Sequence, residues 1–257
     1  ANSNSSEQLG ALTLAKGDNR ITVSLNALGQ YQTADLSFTS LTRTPGTTLN
    51  IAGTNLGSEG SNSRLLFNTP LANNASSVLG AWAIANSTDY AAYNAAQGAG
   101  AVGSPGYVGY DTGFASGNIT QILGASAAVT TNLSANTSTG LLRLAGNTFN
   151  DVTFSSGAIV LNLEQGGLLR SNNTFASTIG TPTLRGILTA GGAEVSGTRE
   201  LIIYSNATTN PTSAATFTSV VSSAVVTGAS TLGFQPGMTI TNASFPAGTK
   251  VLSVDNE

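Results

Sequence analysis

Histidine and cysteine are absent from this 257-residue chain, and only 8% of its residues are charged. Without imidazole, a Ser–His–Asp relay cannot be assembled in its usual form. Without thiols there are no disulfides, no thiolate nucleophiles and no sulfur ligands for zinc. Nine basic residues against twelve acidic ones leave a net charge of −3. That is too few cations for the basic stripe that nucleic acid requires or for a polybasic membrane patch. No apolar run approaches the roughly 18 residues that span a bilayer. Residues 1–10 (ANSNSSEQLG) lack the apolar segment of a signal peptide. An average soluble domain carries about 25% charged residues. The deficit here, with abundant Ser, Thr, Asn and Gly, points to an extracellular or cell-surface setting.

Apolar residues are not scarce. They make up 40% of the chain, unlike a disordered polymer. They fall into short alternating words: 34–41 (ADLSFTSL), 47–52 (TTLNIA), 149–154 (FNDVTF) and 158–163 (AIVLNL). Period two predicts strands with one buried face. It places Leu36, Phe38, Leu49, Ile51, Leu142, Leu144, Val152, Phe154, Leu161 and Leu163 inward. Gly, Asn and Asp separate the words with turn chemistry. From Ile119 onward the words recur about every ten residues, so two or three per turn would give coils of about 20 to 30 residues. About eight such coils would stack into one rod roughly 40 Å long.

Two changes of texture divide the chain. Residues 69–117 hold the only Trp and four of the six Tyr. The sequence predicts one or two strands near 80–93 followed by a long excursion, with a short helix over 88–97 (TDYAAYNAAQ), capped by Thr88 or Asp89, as an alternative. Residues 98–109 (GAGAVGSPGYVG) are too glycine-rich for a regular element. A loop excursion projecting near 94–117 is therefore expected. Past Asn206 the texture changes again, giving a repeat domain over 1–209 and a small β module over 210–257. That module stops on Asp255-Asn256-Glu257 as though another strand were due.

Candidate chemistry is thin. Glycoside cleavage needs two carboxyl groups about 5 to 9.5 Å apart, and Asp151 with Glu164, or Glu194 with Glu200, are the available pairs. The plainer reading makes them solvated turn or edge charges. A Ser–Lys mechanism would have to use Lys16 or Lys250, both placed as solvated charges. Residues 98–103 (GAGAVG) fit a G-x-G-x-x-G spacing but lack the strand and helix that give it meaning. Calcium could draw oxygens from 16–20 (KGDNR) or Asn150-Asp151, although neither matches a calcium-loop pattern. No catalytic, cofactor or metal residue is assigned. Trp82, Tyr90, Tyr93, Tyr107, Tyr110 and Phe114 crowd into one region. They form the candidate interaction surface, for a protein or a sugar, or else a small core that anchors a loop.

The words 12–14 (LTL), 36–41 (LSFTSL), 48–57 (TLNIAGTNLG) and 80–93 (GAWAIANSTDYAAY) resemble bacterial autotransporter-associated β-strand repeat proteins. So does the run from 167–170 (GLLR) through 186–192 (GILTAGG) to 199–204 (RELIIY). The resemblance covers about residues 9 to 225. Residues 237–254 resemble a small β module found between repeats of large bacterial surface proteins. The resemblance implies a right-handed parallel β-helix and a non-enzymatic role as surface stalk, adhesin or self-assembling fibre segment. Copies would associate through β-helix ends or the open C-terminal unit. The alternative is a carbohydrate-binding or polysaccharide-cleaving β-helix.

Overall fold

The computed structural model describes residues 3–25, 31–58, 62–171, 177–191, 200–206, 217–219 and 226–228. The chain divides into two compact units, Ala1–Thr209 and Asn210–Glu257. Among the described residues there is no helix.

The first unit opens with β1 (Ser3–Leu9), β2 (Leu12–Leu14) and β3 (Asp18–Val23). β4 (Tyr31–Phe38), β5 (Leu41–Arg43) and β6 (Thr48–Gly53) repeat that order and pair with the first three, all in parallel. β7 (Asn62–Phe67) continues β4, and β8 (Ala83–Ala85) continues β6, again in parallel. Glu7 faces Leu36 and Leu36 faces Leu65, so each partner lies 29 residues on. Ile21 faces Ile51 at a separation of 30. Side chains in such pairs share one face, so the period-two apolar residues line up in rows. Leu49, Ile51, Leu65, Phe67, Ala83, Ala91 and Tyr93 build the first core.

β9 (Asp89–Asn94) and β10 (Gly98–Ala101) then turn back antiparallel beside β8. The strands expected near 80–93 are β8 and most of β9, and the alternative helix over 88–97 is instead part of a hairpin. Tertiary packing overrides the helix propensity of the alanines. In a strand, Ala91 and Tyr93 enter the first core while Tyr90 and Ala92 enter a second one on the opposite face. The projecting loop expected near 94–117 is also corrected. Residues 98–101 form a buried strand edge, and Val102, Tyr107, Val108 and Tyr110 lie on the second core. The glycines serve close approach. Gly98 has φ +83°, and a Cβ there would sit 2.4 Å from the Leu65 carbonyl oxygen; one on Gly100 would sit 2.3 Å from the Tyr107 ring.

A second group of strands follows. β11 (Ile119–Gly124), β12 (Val129–Leu133), β13 (Thr137–Gly146), β14 (Asn150–Phe154), β15 (Val160–Ser171) and β16 (Ser177–Ile179) come first. β17 (Ile187–Ala190) and β18 (Ile202–Asn206) complete the group. One sheet runs β11-β13-β15-β17 with β18 also on β15, the other β12-β14-β16, and every pairing is parallel. Partners lie 21 residues on for Thr131 and Val152, 26 for Leu142 and Leu168, and 35 for Leu168 and Ile203. β13 and β15 shift register between Thr139 and Leu141. Leu142, Leu144, Val152, Phe154, Leu161 and Leu163 fill the third core.

The single rod is not what forms. Among the described residues no ladder joins β1–β10 to β11–β18. The two groups meet instead through the second core, where Ile84, Tyr90 and Ala92 face Ile119, Leu141 and Leu169. β13 is thus buried without interruption from Thr139 to Ala145. That explains why 140–145 (GLLRLA) is a run and not an alternation. Of the ten residues expected inward, nine are buried and Leu36 lies partly buried against the first core.

In the second unit the described strands are β19 (Phe217–Ser219) and β20 (Val226–Gly228), paired antiparallel. The expected strands at 238–241 and 250–254 lie outside the described residues.

The ladder rows carry stability where they are fully enclosed. Leu161 is 0% exposed in the third core, whereas Ile203 is 62% exposed. Leu161→Ala is expected to cost about 2–5 kcal/mol, and Ile203→Ala less than about 1 kcal/mol. Urea unfolding followed by far-UV circular dichroism on both variants checks the contrast.

Candidate functional site

The six aromatics proposed as an interaction surface do not share one. Tyr93 lies in the first core with Trp82 against it, Tyr90 in the second with Tyr107 and Tyr110 against it, and Phe114 flanks the third. Tyr90 and Tyr93 are buried and the other four are half-buried. The cause lies in their polar ends. A buried phenol needs a partner, and each tyrosine hydroxyl finds one indoors. Tyr90 donates to the Leu142 carbonyl at 3.0 Å. Tyr93 donates to the Phe67 carbonyl at 3.3 Å and accepts from the Phe67 amide at 2.9 Å. Tyr107 donates to the carbonyls of Gly98 and Gly57 at 3.0 and 3.2 Å. Burial pushes all four phenols, Tyr110 included, above their ordinary range. They stay protonated at neutral pH and serve as donors.

The densest polar constellation was not visible in the sequence. It surrounds Arg143, a guanidinium on β13 that is only 9% exposed. Its Nε donates to the Thr88 carbonyl at 3.1 Å and the Ser171 hydroxyl at 3.0 Å. Nη1 donates to Oε1 of Gln121, the residue beside it on β11. Nη2 pairs with Oδ1 of Asp89 at 3.0 Å. Tyr110 donates to that same oxygen at 3.1 Å, and its ring lies under the guanidinium with the centroid 4.8 Å from Cζ. Thr88 donates to the other Asp89 oxygen at 2.7 Å. Asp89, Tyr110 and Arg143 come from three separate stretches and meet only because the sheets pack face to face. Chemically the network neutralises a buried charge and satisfies its donors.

A second ion pair joins distant parts of the first unit. Arg43 Nη2 contacts Glu200 at 2.8 Å to Oε1 and 2.6 Å to Oε2, and the Gly46 amide donates to the same carboxylate. Arg43 also lies over the Trp82 ring, with Cζ 5.4 Å from the centroid. Partial burial raises the Glu200 pKa, but the Arg43 and Gly46 hydrogen bonds outweigh it, and the net effect holds this carboxyl below its ordinary range.

The carboxylate pairs considered for glycoside cleavage are engaged separately. Asp151 accepts from the Thr178 hydroxyl and amide at 2.6 and 3.2 Å. Glu164 accepts from the Gly117 amide at 2.8 Å. Glu200 belongs to Arg43, and Glu194 lies outside the described residues. In the stretch considered for calcium, Asp18 accepts from Thr48 at 2.5 Å, and the Asn19 amide donates to the carbonyls of Lys16, Gly17 and Thr48. Asn150 donates to the Ala145 carbonyl at 2.7 Å. Among the described residues no three acidic side chains gather as a metal group. The G-x-G-x-x-G stretch opens with β10, an edge strand, and no helix follows it among the described residues. Lys16 is exposed, and Lys250 lies outside the described residues.

Two measurements probe these pairs. Arg143→Met strands Asp89 and is expected to cost about 3 kcal/mol in urea unfolding, against about 1 kcal/mol for Tyr110→Phe. Glu200 has a lowered folded pKa, so its contribution is complete above the unfolded value near 4.5 and lost as pH falls through the folded one. Glu200→Gln is therefore expected to lower stability at pH 7 and to flatten the acid limb of the stability–pH curve below about pH 5.

No protein-family profile, curated protein or solved structure matches this chain.

Proposed function

We propose that this chain is a non-enzymatic structural segment of a bacterial cell-surface or extracellular protein, built from stacked β-helical coils. The carrying observation is the set of in-register parallel ladders, whose partners recur 21 to 35 residues on. A chain that returns to the same row after each circuit is a coil, and each coil is too small to enclose a core alone. Crossovers between parallel strands of one sheet are right-handed in about 98% of cases, which supports right-handed coils in both strand groups. The low charge and the Ser, Thr and Asn excess suit an outer face exposed to the medium. The resemblance of the repeat words to autotransporter-associated repeats supports the same reading. The role is mechanical: a stalk, adhesin or fibre segment. Copies associate through sheet edges at the ends of the stacks, where main-chain hydrogen bonds supply affinity.

The test is negative-stain electron microscopy of the purified chain, with reducing-end release from a panel of bacterial and plant polysaccharides measured in parallel. Elongated particles or end-joined assemblies and no release are the expected outcome. Release of reducing ends above a heat-treated control overturns the non-enzymatic reading, and uniformly round, unjoined particles overturn the structural one.

A further inference from the structure

Two parallel ladders of the first strand group, β1-β4-β7 and β3-β6-β8, stop in the interior of the chain. Beside β8 the next place is taken by β9, which runs the other way, with Ile84 opposite Tyr90. β10 follows antiparallel, with Tyr93 opposite Ala99, and packs beside β7. β7 is outermost in its sheet, yet its backbone finds partners that are not a strand. The Ser63 amide donates to the Thr54 carbonyl at 3.1 Å, and the Ser63 carbonyl accepts from the Gly57 amide at 3.0 Å. The Phe67 amide donates to the Tyr93 hydroxyl at 2.9 Å, and that hydroxyl donates to the Phe67 carbonyl at 3.3 Å. The two rings pack edge-on with centroids 6.0 Å apart. A strap over 102–108 then covers β10. The Ser104 amide donates to the Ala101 carbonyl at 3.1 Å, the Gly103 amide to the Val108 carbonyl at 2.7 Å, and the Tyr107 hydroxyl reaches the Gly98 carbonyl at 3.0 Å.

We infer that β9, β10 and the strap form an internal end cap, which stops both ladders and divides one repetitive chain into two separate strand groups. A ladder can be lengthened wherever unpaired N–H and C=O groups line an edge. An apolar row likewise needs a cover on its last residue. The hairpin meets both needs. A phenol hydroxyl is donor and acceptor in one atom, so Tyr93 stands in for a strand at Phe67. Ala91, Tyr93 and Ala99 are buried in the first core and close its rows. Glycine at 100 lets the strap lie flat, since a Cβ there would sit 2.3 Å from the Tyr107 ring. Tyr93 and Tyr107 are thus positioning residues: one pins the hairpin to β7, the other pins the strap to β10.

The experiment is hydrogen–deuterium exchange with mass spectrometry on the full 257-residue chain. Peptides over 62–68, 98–108 and 150–154 are followed in wild type, Tyr93→Phe and Gly100→Val. Tyr93→Phe keeps the ring and removes only the hydroxyl. Gly100→Val drives a side chain into the Tyr107 ring and lifts the strap. The inference expects Tyr93→Phe to speed exchange in 62–68 by roughly five- to tenfold, the loss of about one hydrogen bond. It expects Gly100→Val to speed both 98–108 and 62–68. Residues 150–154, in the third core, keep the wild-type rate in both variants. Unchanged exchange over 62–68 in Tyr93→Phe overturns the cap, because β7 then does not depend on that hydroxyl. Equal acceleration of 62–68 and 150–154 in either variant also overturns it, because a loss shared by both strand groups is general destabilisation.

Discussion

Burial of β9 and β13 on both faces is the constraint on which the first unit depends. Tyr90 and Ala92 on one face of β9 and Ala91 and Tyr93 on the other enter different cores. β13 does the same with Leu141 against Leu142 and Leu144. A strand enclosed on both sides has no solvent face on which to place a charge. Arg143 nevertheless sits on β13, and its enclosure is tolerable only because Asp89, Gln121, Ser171, Thr88 and the Tyr110 ring surround it. The irregular segment 102–118 acquires a purpose from this. It carries Tyr110 to the guanidinium and Tyr107 to the strand edge, sealing the joint between the two groups.

The ladders and the joint are stabilised differently. Within each group, every parallel pairing repeats backbone hydrogen bonds and adds a residue to an apolar row, so the pattern can be extended without new chemistry. Among the described residues the joint has no ladder. It relies on side-chain packing and on polar contacts between residues dozens of positions apart, such as Tyr90 with Leu142. Loss of one row residue leaves a cavity; loss of one network member leaves a buried charge or donor unpaired, which is a different and often larger penalty.

Much of the architecture was legible in the residues. Alternating words such as 47–52 and 158–163 became β6 and the start of β15, because period two with one buried face has few other solutions. β1 was not legible: 3–9 (SNSSEQL) has no apolar alternation, and only the hydrogen bonds of β4 make it a strand. Strands near 80–93 were legible, but the alternative helix over 88–97 failed for a related reason. Ala-rich 88–97 satisfies helix propensity locally, and only enclosure from both sides favours the extended form. The aromatic cluster was correctly seen as a cluster in sequence, but proximity along a strand places neighbours on opposite faces. Tyr90 and Tyr93, three apart, therefore entered separate cores.

Composition and periodicity alone determined that the chain is built from strands, which side chains turn inward, and which catalytic chemistries lack their residues. These are local properties: the pleat repeats every two residues, and an absent imidazole is absent in any fold. The tertiary structure alone decided that the strands form two groups packed face to face and that Arg143 is enclosed. Each depends on which strand lies beside which, and register is set by contacts between residues 21 to 35 positions apart. No local pattern encodes that choice, because the same alternating word fits equally well at several places in a ladder.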